Sequence, residues 1–345
     1  MIVSSLVLKR ISTDVLAAAG LSDADAQQVG HSLIENDLLG HTSHGFMRVP
    51  IYVSMIQRGD MDPAGEPFIV RQTATTAILD GGKAMGQIVA RTGMNLAMEK
   101  AREHDVGIVA MRHCGHTGRI GEYTVQAAQE GFLGMGYGSG PSQGGIVAPY
   151  GGTSRLFGTN PMSWAVPAGK YPPVFFDYAT SKVAWGKIAA AAAKGQQVPE
   201  GWMLDKDGNP TTDPDAVRNG GVMLPFGAHK GYGLSMFVEL LTGGLAWARC
   251  GAVQGWERDF PTLMMAVNIS AFQPLDAFCQ MMDELVEAVK SARKAPGVEE
   301  IFVPGELEWR SRERLLTTGI DVPQSTWDQV VETGNSLGIS VDPSA

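Results

Sequence analysis

One stretch limits the possible folds more than any other: from Thr76 to Gly136 the chain alternates short apolar runs with longer amphipathic ones. Thr76–Asp80 (TAILD) reads as a strand ending at Gly81-Gly82, Ile88–His104 as a helix, and Val106–Met111 (VGIVAM) as a buried strand. Tyr123–Gly131 reads as a second helix leading into an apolar strand over Phe132–Gly136. Strand–helix–strand alternation of this kind predicts an α/β core, because each helix covers one face of a sheet.

The segment before this core has a different period. Val15, Leu16, Ala19, Ala26, Val29, Leu33 and Leu38 recur at helical spacing across Thr13–Leu39, with a break near Gly20. Ser22 stands where an N-cap belongs, and Asp23 and Asp25 sit near the positive end of the helix it would start. Val49–Gln57 is a further helix, stopped by the Arg58-Gly59-Asp60 turn. The N-terminal region is thus expected to be a helical lobe.

Beyond the core, Gly134–Gly158 is dense in glycine and reads as loops where backbones or a ligand come close. A helix is expected from about Ala184 to Ala193 with Gly195 as its stop, and an apolar one over Leu234–Trp247. A charged helix is expected over Trp309–Ile320. Asp205–Pro210 is a tight turn; proline in its sixth position and the missing terminal glutamate exclude a calcium loop. No internal repeat is present.

With 36 acidic against 27 basic residues the chain carries a formal charge of −9, which argues against nucleic acid or an anionic membrane as its main partner. Three cysteines (Cys114, Cys250, Cys279) without C-x-x-C spacing suit a reducing cytoplasm. Cys114 reads as a small buried hydrophobe rather than a reactive thiol. No apolar run of about 18 residues is present, so no membrane span is expected, and Met1–Arg10 lacks the layout of a signal peptide.

The common catalytic signatures are missing. Gly136-Tyr137-Gly138 and Gly138-Ser139-Gly140 lack the third glycine of a dinucleotide fingerprint, and no Walker A or H-E-x-x-H sequence occurs. Gly140-Pro141-Ser142-Gln143-Gly144 matches G-x-S-x-G in form only, since proline precedes the serine and more glycine-rich loop follows it. What remains is histidine and arginine beside glycine. His44 and Arg48 are four apart and can share a face; an imidazole can move a proton near neutral pH and a guanidinium can grip a carboxylate. Arg112–Gly118, with His116 between glycines, follows a strand at its carboxyl end, where α/β proteins usually bind ligands. Asp177–Lys182 and Phe226–Gly233 each place small residues beside a lysine at a helix entrance, which suits a pyrophosphate.

Taken in order, SHGFMR (Ser43–Arg48), GHTG (Gly115–Gly118), FGTNP (Phe157–Pro161), DYATS (Asp177–Ser181), DGNPTTDP (Asp207–Pro214), HKGYGL (His229–Leu234) and VPGE (Val303–Glu306) resemble the malate/L-lactate dehydrogenase family of non-Rossmann NAD(P)-dependent oxidoreductases. That family also holds ureidoglycolate, sulfolactate and diketogulonate enzymes and cyclic-imine reductases. The likeness runs from about Leu16 to Asp342, and GHTGRIGEY with DYATS most resembles bacterial hydroxycarboxylate dehydrogenases.

The resemblance implies an α/β fold with a large mixed sheet (residues 73–307) that binds NAD or NADP. A helical lobe of residues 1–72 would be completed by about 308–345. It implies a homodimer or an assembly of dimers, a small carboxylate substrate and no metal. His44 and His116 match the family's candidate proton-transfer histidines, with the glycine-bracketed loop favouring His116, and Arg48 matches the carboxylate-binding arginine. Asp177, Tyr178, Ala179, Thr180, Ser181, Lys182, His229, Lys230, Pro304, Gly305 and Glu306 match cofactor-holding segments, and Ser139 and Gly140 fall where the chain passes the nicotinamide. Ala228 stands where the family often has a second glycine. The implied reaction is hydride transfer between nicotinamide C4 and substrate C2 with a histidine moving the proton. The alternatives are reduction of a cyclic imine carboxylate and a non-catalytic ligand-binding protein.

Overall fold

The computed structural model describes residues 1–140, 145–248, 250, 253 and 259–342. Its N-terminal lobe starts with β1 (Ile2–Val3), α1 (Ser5–Ala18), α2 (Asp23–Leu38) and α3 (Arg48–Gln57). The helix expected from Thr13 begins at Ser5, because Ser4 caps it by accepting from Val7 N–H and Leu8 and Ile11 extend the buried stripe. The break at Gly20 and the Ser22 cap are as expected: Gly20 has φ +108° and Ser22 Oγ accepts from Asp25 N–H at 3.2 Å.

The sheet contains β2 (Phe68–Gln72), β3 (Thr76–Asp80), β4 (Val106–Arg112), β5 (Phe132–Gly138), β6 (Met162–Val166) and β7 (Val174–Tyr178). Helices α4 (Gly86–His104) and α5 (Gly121–Gln129) cover one face. The seventh strand, β11 (Thr262–Asn268), comes from far along the chain and lies antiparallel between β4 and β5, giving the order β2-β3-β4-β11-β5-β6-β7. Among the described strands of this sheet only β3 and β4 pair in parallel, through the α4 crossover.

Part of the stretch expected to be loop is strand. Gly134 and Gly136 belong to β5, and a Cβ there would sit 2.6 Å from Thr124 O and 2.5 Å from Ile120 Cγ2. These glycines let α5 lie directly on the strand, a use of glycine that composition does not distinguish from a loop. Gly107 does the same for α4, whose Ala97 carbonyl oxygen would be 1.9 Å from an added Cβ.

A small unit beside the sheet holds α6 (Trp185–Ala193) and the three-stranded set β8 (Met203–Leu204), β9 (Pro210–Thr211) and β10 (Val222–Met223). The Asp205–Pro210 turn joins β8 to β9, and Phe157, Ile188, Met203 and Met223 pack at its centre. Then come α7 (His229–Glu239), five wider-turn residues Leu240–Gly244, and, after β11, α8 (Leu275–Ser291). The apolar helix expected from Leu234 thus starts earlier and loses α-helical regularity after Glu239. The charged helix starts at Glu306 as α9 (Glu306–Thr318), and Ile320 belongs to β12 (Ile320–Asp321). β12 pairs with β1, and α10 (Gln324–Ser336) sends Trp327 and Val330 into the N-terminal core. Among the described residues no helix is long and apolar enough to cross a membrane.

Candidate active site

The loop after β4 is fixed from three sides. The Asp259 carboxylate accepts the N–H groups of His113 and Cys114 at 2.7 Å and of Phe260 at 2.8 Å. Gly115 N–H donates to Ala84 O at 3.0 Å. Gly86, the first residue of α4, packs so closely that a Cβ would stand 2.3 Å from Gly115 O and 2.4 Å from the His116 carbonyl carbon. The His116 backbone is therefore packed directly on the start of α4. Cys114 is buried, and burial pushes its thiol well up, so it packs as the small hydrophobe expected.

His44 ends the short turn Thr42–His44 between α2 and α3. Asp37 Oδ2 accepts from Phe46 N–H at 2.7 Å and Asn36 Nδ2 donates to His44 O at 3.2 Å, tying the turn back onto α2. Gly45 lies against the Asp37 carboxyl, where a Cβ would be 2.0 Å from Oδ1. Arg48 begins α3, and its Nε donates to Ser43 O at 2.6 Å.

These loops bring the predicted residues together. The rings of His44 and His116 stack with centroids 5.6 Å apart and planes 13° from parallel, and Phe260 meets His116 edge-on at 5.4 Å. His116 Nδ1 is 2.9 Å from Tyr52 Oη, and Gly118 N–H points at the same nitrogen from 3.3 Å. His44, Arg48 and His116 line one cavity of about 680 Å³, a size typical of small-molecule sites. Burial first, then Arg48, pushes His44 down to about 3 and holds His116 well below the usual histidine range. Both rings are thus neutral near pH 7 before an anion enters.

The cavity is also lined by Gly138, Ser139, Gly140 and Gly158 and by Asp177–Ala179 and Ser181–Lys182. Gly158 has no room for a side chain, since a Cβ would be 2.9 Å from Asn160 Oδ1. Thr180 does not line the cavity; its hydroxyl donates to Thr159 O and Asn160 O and so fixes the strand exit. The Asp177 carboxyl is pushed up by burial against the pull of Arg119, whose Nη1 is 3.7 Å away, and accepts Gly121 N–H at 2.8 Å.

Three predicted groups lie off this cavity. His229 and Lys230 are exposed at the start of α7, with Gly231 packed against Thr180 O. Pro304 is exposed, and Gly305 is buried against the Phe175 ring. Glu306 pairs with Lys290 at 2.6 Å and with Arg310 at 2.6 Å and accepts Val303 N–H. Pro141–Gly144, the remainder of the formal G-x-S-x-G, lie outside the described residues. Sequence reading missed Tyr52, Gln87, Arg119 and Lys187, and it had His41, which also lines the cavity, only as the first residue of the His41–Arg48 cluster. Tyr52 alone had an available signal, being four residues beyond Arg48 on one helix.

The model of the malate/L-lactate dehydrogenase family matches residues 3–331. Malate dehydrogenase of Pyrococcus abyssi is 37% identical over 336 residues, covering 94% of this chain and 92% of that protein. Among solved structures, sulfolactate dehydrogenase from Methanocaldococcus jannaschii superposes with a TM-score of 0.90 at 34% identity, covering 99% of this chain and 98% of that one. Malate dehydrogenase from Entamoeba histolytica gives 0.93 at 29%, covering 98% of each. The fold is that of these dehydrogenases, a large mixed sheet without the glycine fingerprint of the Rossmann class. The chain belongs to the malate/L-lactate dehydrogenase family.

Proposed function

We propose that the protein is a 2-hydroxy acid dehydrogenase that moves a hydride between NAD(P)H and C2 of a small 2-oxo acid. The observation that carries this is the shared cavity, lined by a stacked His44–His116 pair and Arg48 together with Gly138, Gly140 and Gly158. Gly138, Gly140 and Gly158 bring bare backbone to the cavity wall, and Lys182 on the same lining supplies a cation for a pyrophosphate, so the residues fit a dinucleotide. The nicotinamide supplies the hydride chemistry when bound.

The chain supplies the rest. Arg48, held by Ser43 O, binds and orients the substrate carboxylate. His116 exchanges a proton with the C2 oxygen through Nε2, which has no hydrogen-bond partner among the described residues. His44 stacks on it and keeps the ring in place. Phe260 and the loop walls exclude water from the reacting oxygen. Ser139–Gly140 and Asp177–Lys182 would hold the cofactor, and His229, Lys230 and Pro304–Glu306, off the cavity, would join them only as the family motifs imply.

The same reading has the chain working in the cytoplasm as a homodimer or an assembly of dimers. Phe237, Leu240 and Trp247 are 64%, 46% and 81% exposed and supply an apolar surface for a second copy.

The test is absorbance-followed oxidation of NADH, then NADPH, against a panel of 2-oxo acids and cyclic imine carboxylates. Turnover of an oxo acid supports the reading and selects the cofactor. Turnover of imines alone transfers the site to imine reduction, and no turnover with no cofactor binding rejects catalysis. His116→Ala should lower kcat by roughly 10²–10⁴-fold with cofactor affinity unchanged. Parent-like turnover would remove His116 from proton transfer.

A further inference from the structure

Behind His116 lies a polar chain that neither the fold nor the cavity requires. Tyr52 is fully buried on α3, and its Oη contacts His116 Nδ1 at 2.9 Å. Gln87, buried in the first turn of α4, donates from Nε2 to the same Oη at 2.8 Å. The other end of that amide, Oε1, is buried without a hydrogen-bond partner among the described residues. A buried acceptor left unmade is costly, roughly 1–3 kcal/mol. Replacing such a glutamine with an apolar side chain would remove the penalty, so its presence calls for a use.

Tyr52 has one proton and supplies the use. With Gln87 Nε2 donating to it, the phenol proton is directed at Nδ1, where Gly118 N–H also points. Nδ1 is then bare and Nε2 carries the ring proton. That form can neither take a proton at Nε2 nor act as a useful acid, because it is neutral. A half-turn of the Gln87 amide brings Oε1 to Tyr52, the phenol donates to it, and Oη is free to accept Nδ1–H. Nε2 is now a base in the neutral ring, or an acid in the imidazolium.

We propose that Gln87 and Tyr52 form a reversible hydrogen-bond relay that selects which nitrogen of His116 carries the proton, and so switches Nε2 between an idle and a reactive state. The proposal rests on the dehydrogenase reading for its function. In the oxidative direction Nε2 takes the hydroxyl proton of the 2-hydroxy acid and Nδ1 keeps its own against Tyr52, while a bound nicotinamide would be the acceptor of the C2 hydride. Reduction reverses each transfer. Tyr52 and Gln87 are positioning residues, since neither lines the cavity.

The groups facing His116 give the relay its setting. Arg48 and His44 both disfavour the imidazolium, as does the α4 N-terminus packed on its backbone, while the Tyr52 phenol is kept protonated by burial. Asp259 is held by three backbone N–H groups of the loop. A substrate carboxylate on Arg48 cancels its charge, and Tyr52 turned toward Gln87 then offers Nδ1–H an acceptor.

The experiment pairs the pH profile of kcat and KM with histidine ring-nitrogen NMR of the full chain, His116 being assigned from its loss in His116→Gln. Tyr52→Phe removes the acceptor and should lower the apparent pKa of the proton-transfer group by about one unit, a tenfold change. Gln87→Met leaves Tyr52 no acceptor except Nδ1 and should move it the same way. Gln87→Glu supplies a permanent acceptor and should move it up. KM for the oxo acid should stay near the parent value, because Arg48 is intact. NMR should find the resting ring protonated at Nε2. Profiles that superpose, or that shift together in all three variants, would overturn the relay, as would a resting ring protonated at Nδ1. If the parent turns over no substrate, the dehydrogenase reading falls, and the NMR titrations still decide the relay alone.

Discussion

At the residue scale, charge burial makes the strongest statements. Unfolded, His44 takes a proton near 6.5; folded, it resists until about 3. Its contribution to stability is therefore present above pH 6.5 and is lost as pH falls toward 3. Asp37 runs the other way: burial raises it from 3.8 to about 7, so its contribution is present below pH 3.8 and lost as pH rises through 7. Thermal melts should show Asp37→Asn gaining on the parent between pH 4 and 8, with the Phe46 N–H still accepted; an unchanged difference would contradict a raised carboxyl. Arg48→Lys should raise KM for the oxo acid by roughly ten- to a hundredfold, the worth of a lost charged hydrogen bond of about 1.5–3 kcal/mol. Saturation kinetics with unaltered KM would place the carboxylate elsewhere. Ala228 has φ +56° and ψ −120°, a region suited to glycine. Relieving it in Ala228→Gly should stabilise by about 1 kcal/mol, raising Tm by roughly 1–3 °C in a chain of this size.

At the scale of elements, the site depends on one contact between α4 and the loop carrying His116. Gly86→Ala forces atoms apart against backbone rather than a flexible side chain. A loss of about 1–3 kcal/mol in stability and a fall in kcat larger than any change in cofactor affinity are expected. Equal kcat in a folded variant would show that the loop tolerates displacement. The same contact explains what the sequence revealed and what it hid. That His44, Arg48 and His116 belong to one cavity was legible because short motifs of chemistry-bearing residues stand beside glycine and follow a strand or helix end. Helices α2 and α4 and strands β3 and β4 were legible from periodicity. Gln87 and Asp259 were not, since each acts through a partner more than thirty residues away and sits in an ordinary helical or loop context, and Tyr52 offered only its spacing from Arg48. Gly134 and Gly136 misled because close helix packing and loop formation select the same residue.

At the scale of the molecule, the two chain ends hold the site. Trp327 on α10 stacks on Phe46, with ring centroids 6.2 Å apart, and Phe46 lies between His44 and Arg48. Trp327→Ala should destabilise by about 3–5 kcal/mol and weaken substrate binding through the loop, although Trp327 is outside the cavity. Calorimetry and KM measured on the same sample check both halves of that statement. The position of β11 has a further consequence, one for synthesis. Strands β4 and β5 emerge from the ribosome early, point the same way, and are joined by α5, so they can pair with each other directly. Thr262 follows Gly138 only after a delay on the order of ten seconds at typical translation rates. Throughout that interval the nascent sheet has a vacancy at its centre, two unsatisfied edges, and no Asp259 to fix the His116 loop. Co-translational folding of this chain is thus a contest between waiting and mispairing, and a holdase that keeps β4 and β5 apart would raise its yield more than one that only shields the finished surface.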